Sequence, residues 1–200
     1  MVPAQPVAQD EVVTSQAVVL VEGVSDQVAL EVLARRRGRD LVAAGVAVVP
    51  MHGITNIGHH LAHYRTLAPG TRIAGLYDEA EERFVLRGLA QVGCERTTPE
   101  PDRTWLEARG FFSCSADLED ELIRAVGPET VEGLVAAEGE LRSFRTLQKQ
   151  PALREWSLHD QLRRLMSGRS GGKERYAALM AGAVPLDRVP RPLAQLLARI

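Results

Sequence analysis

Four short apolar runs recur along the first 127 residues, each followed by a stretch with helical spacing. AVVLVE (17–22), GVAVVP (45–50), RIAGLYD (72–78) and FFSCS (111–115) are rich in β-branched and aromatic residues and lack polar alternation. Such runs predict strands covered on both faces. SDQVALEVLARRR (25–37), ITNIGHHLAHY (54–64), EAEERFVLRGLAQVG (79–93) and DLEDELIRAVG (117–127) place apolar residues near every third or fourth position and predict helices. The polar stretch CERTTPEPDR (94–103) reads as a loop. The alternation predicts an α/β domain with a four-stranded parallel, Rossmann-like sheet. Right-handed crossovers put all four strand carboxyl ends on one edge, where open α/β sheets bind ligands.

From residue 128 the strand signal stops. PETVEGLVAAEGELRSFRTLQKQ, LHDQLRRLM, KERYAALMAGAV and RPLAQLLARI read as helices separated by Gly and Pro. The expected organisation is a loose arm over 1–16, an α/β domain over 17–127 and a helical region over 128–200 packed on it. Each of these helices is short and must borrow a core from its neighbours.

Composition narrows the function. Aromatics make up 4% of the 200 residues, so Ala, Val and Leu must fill the core, and the net charge of −2 excludes a polycation. Contact with nucleic acid would need local basic patches or metal ions. Cys94 and Cys114 cannot by themselves make a four-ligand zinc site or a disulfide framework. The opening MVPAQPVAQDEVVTSQ has neither a basic n-region nor an apolar h-region, and no run reaches the ~20 apolar residues of a membrane span. The expected location is the cytoplasm.

The acids fall where the strands end. Glu22 closes the first run, with Asp26 a turn later; Asp78 closes the third; Asp117 and Glu119 follow the fourth. Carboxylates gathered on one sheet edge repel one another unless cations lie between them. Oxygen donors without His or Cys suit Mg²⁺ or Mn²⁺. Helix capping competes with this reading: Asp78 with Glu81, Asp117 with Asp120, and Ser25 with Asp26 all have capping spacing. Glu22 lies too early to cap.

These residues resemble a TOPRIM domain, the metal-dependent catalytic fold of topoisomerases, primases and several nucleases. VLVEGVSDQVALEVLARRRG is similar to its first motif. The EGxSD form, with VVPMHGITNIGHHL and DLEDEL, most resembles TOPRIM domains of the overcoming-lysogenization-defect (OLD) nuclease family. The resemblance implies a hydrolase or nucleotidyl transferase that nicks or cuts DNA with two Mg²⁺ or Mn²⁺ ions. It assigns Glu22, Asp26, Asp78, Asp117 and Glu119 as ligands. Lys173, with Lys149 second, is the candidate cation facing the transition state, against the alternative of a solvated helix surface for either lysine. The second acid of the family's DxD would fall at Ala80, and Glu79 or Glu81 would have to replace it. If neither does, a degenerate module that only binds nucleic acid or protein is the alternative.

OLD nucleases also carry an ATPase. GRSGGKER (168–175) only imitates a P-loop: it is one residue short, ends in Glu174 and has no strand before it. An ATPase is therefore expected on a separate chain or missing. Arg35, Arg36, Arg37 and Arg39 form a basic run at a helix end, which complements the dipole and could also meet DNA phosphates. His59 and His63 have metal-ligand spacing, but with no HExxH glutamate a solvent-facing helix is the expected setting. A dinucleotide fold lacks its GxGxxG, and a phosphoacceptor receiver lacks the acid pair after the first strand.

Overall fold

The computed structural model describes residues 16–67, 69–95, 97, 102–168 and 171–200. The expected arm over 1–16 lies almost wholly outside them, as do Arg169 and Ser170 of the P-loop-like stretch. The strands are β1 (Ala17–Val21), β2 (Val46–Pro50), β3 (Arg72–Asp78) and β4 (Phe111–Cys114). They form one parallel sheet in the order β2-β1-β3-β4. β1 ends one residue before Glu22, so that acid stands just past the ladder.

The two sheet faces separate by the period-two rule. Val18 and Leu20 of β1 face a layer made by α2 (Ile57–Leu67), α3 (Glu82–Gln91) and α4 (Asp102–Ala108). Ala17, Val19 and Val21 face the larger core with α1 (Val24–Arg36) and α5 (Leu118–Val126). The helices that follow are α6 (Pro128–Ala137), α7 (Leu141–Gln148), α8 (Leu158–Ser167), α9 (Gly172–Ala183) and α10 (Arg191–Arg199). They bury Val131, Phe144, Leu162, Met180 and Leu196 in that same core. α9 lies along α1, and α10 covers β3 and β4.

Helix α4 is absent from the expected pattern. Its residues follow the Pro- and Thr-rich stretch of the sequence, and its apolar anchor is the adjacent pair Trp105–Leu106, both buried. An adjacent pair carries no helical period. Two other predicted helices begin as 3-10 turns, Ile54–Asn56 before α2 and Glu79–Glu81 before α3. Close packing fixes two glycines. A Cβ on Gly75 of β3 would lie 2.8 Å from the Phe111 ring, and one on Gly88 would lie 3.2 Å from the Gly58 backbone where α2 and α3 cross. Among the described residues no helix is long and apolar enough to cross a membrane.

Candidate metal centre

The parallel order delivers the carboxyl ends of β1, β3 and β4 to one edge, and the acids meet there. Glu22, Asp78 and Glu81 each offer a carboxylate oxygen, and these atoms lie within 4.8 Å of one another. The 3-10 turn after Asp78 makes this possible: it swings Glu81 inward and leaves Glu79 and Ala80 exposed. Asp78 accepts no capping hydrogen bond there, so the capping explanation for this acid does not hold in the structure.

A cleft of about 280 Å³ opens beside the three acids. Asp26, Asp117, Glu119 and Lys173 line it with Glu22 and Asp78, as do Gly23, His52 and Gly53. The Asp26 carboxylate accepts from the Gly23 backbone N–H at 2.8 Å. Asp117 caps α5: its Oδ1 accepts from the Asp120 N–H at 2.8 Å and its Oδ2 from Arg163. Here the capping explanation does hold, and both oxygens are engaged. Glu119 is 3% exposed, and its Oε2 accepts from Lys173 Nζ at 3.2 Å. Lys149 is exposed at the end of α7 and is not part of the cleft wall.

The protonation of these groups records their crowding. Burial first, then the charges of Glu22, Asp26, Asp117 and Glu81, push Asp78 up to about 8. Burial likewise pushes Asp26 up to about 7, against the Gly23 N–H and Lys173 and with the help of Glu119 and Glu22. Glu22 is raised by burial, by a hydrogen bond with the Glu81 side chain, and by its charge. Burial and neighbouring Asp26 and Asp78 hold the Cys114 thiol well above its usual range, so it stays a neutral thiol in the core. Among the described residues, Glu81 Oε2 and Glu119 Oε1 are buried oxygens with no hydrogen-bond partner. Buried anionic oxygens without partners are costly unless a cation satisfies them. The residues therefore fit a hard divalent ion held by oxygen alone.

A family model matches the first part of the chain. Residues 14–78 match the family model "Overcoming lysogenization defect protein-like, TOPRIM domain". Over those residues the chain is similar to an OLD-like TOPRIM domain. Its fold extends well past that match. The C-terminal region of the Xanthomonas campestris pv. campestris OLD protein superposes with a TM-score of 0.70 at 23% identity, covering 92% of this chain and 93% of that one. A second structure of that region gives 0.72 at 22% identity, with 95% and 94% covered. The corresponding region of the Burkholderia pseudomallei OLD protein gives 0.67 at 19% identity, with 92% and 96% covered. These likenesses establish the fold of the TOPRIM domain together with its helical carboxyl-terminal region. A comparison with curated proteins finds no significant match.

Around the cleft, two features had escaped the sequence. His52 adopts φ 55° beside Gly53 at φ 115°, and the Gly53 N–H donates to Glu22 O at 3.1 Å. A non-glycine residue in that region is strained, and the contact pins the loop after β2 to the end of β1. Arg163 of α8 holds Asp117, and His159 Nε2 lies 2.7 Å from Asp120 Oδ1, so α8 braces the first turn of α5. The HGI signature was visible, but its left-handed turn was not. The basic run divides. Arg36 donates to Ala181 O and Val184 O, and Arg39 to Leu197 O and Ile200 O. These two guanidiniums cap the carboxyl ends of α9 and α10. Arg35 and Arg37 are exposed. The His59 and His63 rings stack at 6.3 Å on the exposed side of α2, as a solvent-facing helix requires.

Proposed function

We propose that the chain is a divalent-metal-dependent phosphodiester hydrolase that nicks or cuts DNA. The observation that carries this reading is the Glu22–Asp78–Glu81 cluster, in which Glu81 stands in for the acid absent at Ala80. Glu22, Asp78 and Glu81 would hold one Mg²⁺ or Mn²⁺, and Asp26 and Glu119 a second. Ions so held supply an activated water and neutralise charge developing on the phosphate oxygens. The protein's own contributions are separable. Burial of Glu119 and the N–H bond to Asp26 keep their carboxylates fixed in the cleft wall. Lys173, half exposed at the cleft mouth, is the ammonium that would meet a non-bridging phosphate oxygen. Arg163 and the Asp120 N–H engage both oxygens of Asp117, which is the weakest candidate among the proposed ligands.

DNA is the proposed substrate because the resemblance to OLD-like TOPRIM domains implies that reaction class. With a net charge of −2, affinity rests on local cations such as Arg35 and Arg37 and is sensitive to salt. A separate ATPase chain, implied by the same resemblance, belongs to this proposal and is checked by co-purification. Ala80 favours a second reading, a TOPRIM module that binds nucleic acid or protein without cleaving. Plasmid nicking in Mn²⁺ against EDTA decides between them. Weak nicking with little sequence preference is expected, better with Mn²⁺ than with the octahedrally strict Mg²⁺. Glu22→Ala and Asp78→Ala should each abolish it and Glu82→Ala should not. No nicking in Mn²⁺, or a Glu22→Ala protein as active as the parent, would leave the binding-module reading.

A further inference from the structure

We infer that the Lys173 ammonium occupies the place of the second divalent cation in the metal-free protein and has to leave Glu119 for that cation to bind. The inference rests on the proposed metal reading and adds an order of events to it. Three observations support it. Glu119 is 3% exposed and yet carries a full charge partner on only one side: Oε2 meets Lys173 Nζ at 3.2 Å, while Oε1 is buried with no partner. The orphan oxygen belongs to a residue of the cleft wall and acts on Asp26 from there. Lys173 supplies the opposing positive charge felt by Glu22, Asp26 and Glu119 together.

The chemistry follows from charge and reach. A lone ammonium gives one positive charge and leaves Oε1 unsatisfied, whereas a divalent oxygen-seeking ion could use both oxygens. Ammonium and ion cannot share Oε2 at contact distance without strong repulsion. The lysine has somewhere to go. Its side chain is 48% exposed, and Gly171 (φ 70°) and Gly172 precede it at the start of α9. Released from Glu119, the ammonium is free at the mouth of the cleft, where a phosphate would enter. Among the described residues no ammonium or guanidinium is paired with Glu22, Asp78 or Glu81, so the two binding steps should differ in affinity.

The test is isothermal titration of Mn²⁺ into the full chain, with melting temperature in EDTA as a second readout. The parent should show a tighter step removed by Glu22→Gln and a weaker step removed by Glu119→Gln. Lys173→Met should strengthen the weaker step about tenfold or more and leave the tighter step in place. It should also lower the melting temperature in EDTA, where Glu119 has lost its counterion, while Lys173→Arg should restore both values toward the parent. Lys173→Gln serves as a second neutral variant should the methionine protein fold poorly. A weaker step that is unchanged or lost in both neutral variants, with the tighter step intact, overturns the inference alone. Absence of either step in the parent and in every variant overturns the metal reading and the inference with it.

Discussion

Glu81 brings a carboxylate oxygen within 4.8 Å of one on Asp78 although a 3-10 turn separates the two residues. The turn has a geometric consequence: the carboxylate beside Asp78 comes from position 81, where the family's pattern would have it at position 80. Glu81→Gln should therefore cut the rise in melting temperature caused by Mn²⁺, and Glu22→Gln should abolish it. A ligand at about 100 times its Kd stabilises by about 2.7 kcal/mol, or roughly 5–10 °C for a chain of this size. Glu79→Ala, at an exposed position, should keep the full rise. A Glu81→Gln protein that responds like the parent would return the third ligand to another residue.

How the strands could be read in advance, and Glu81 only partly, has a physical cause. Each of the four strands is covered on both faces, so its apolar run is continuous and visible. The acidic edge followed from parallel order alone. Glu81 was one of two candidates, because a helical start would bring it back toward Asp78; the 3-10 turn sets Glu81 inward and leaves Glu79 exposed. The capping role of Arg36 and Arg39 was not legible because their partners, Ala181, Val184, Leu197 and Ile200, are about 145 to 161 residues away in sequence and leave no local signal. The same holds for Arg163 with Asp117.

The metal-free protein should become less stable as pH rises toward 8. Asp78 is raised to about 8 and Asp26 to about 7 from an ordinary value of 3.8. Between pH ~4 and ~8 the folded chain thus holds protons that the unfolded chain has released, and stability falls as pH climbs through that window. Metal binding needs the ionised carboxylates, so the Mn²⁺ response should grow over the same interval. His60, lowered by burial and by His59, His63 and His52, works in the opposite sense near pH 6.5. The comparison is therefore parent against Asp78→Asn in EDTA from pH 5.5 to 8.5. The gap in melting temperature should open in favour of Asp78→Asn as pH rises; a gap that closes would contradict the assignment.

Asp117 should prove to be a cap more than a ligand. Its Oδ1 satisfies the Asp120 N–H and its Oδ2 takes Arg163. Asp117→Ala should cost about 1–2 kcal/mol through the lost cap, and Asp117→Asn, which still caps, much less. Both should keep the Mn²⁺ response. Loss of that response in Asp117→Asn, with stability intact, would make Asp117 a ligand after all.

The basic run should split by function into two pairs. Arg36 binds Ala181 O at 2.8 Å and Val184 O at 2.6 Å, and Arg39 binds Ile200 O at 2.6 Å as well as Leu197 O. A guanidinium on the last carbonyls of a helix satisfies groups with no partner inside it and complements the dipole. Hydrogen bonds involving a charged group contribute about 1.5–3 kcal/mol. Arg36→Ala and Arg39→Ala should each lower the melting temperature by several degrees, because α9 and α10 lose their tie to α1. Arg35 and Arg37 are exposed on the same turns and should contribute little to stability. Their role, if DNA is the substrate, is electrostatic. They lie at the end of α1 away from the cleft, about 20 Å along a 13-residue helix, far enough to touch phosphate without touching the reacting bond. Arg35→Ala with Arg37→Ala should weaken DNA binding at low salt and reduce the slope of log affinity against log salt by about 2. The Mn²⁺-induced rise in melting temperature should be untouched. An unchanged salt slope would remove this end of α1 from the DNA path and leave the cleft mouth around Lys173 as the place where phosphate is met.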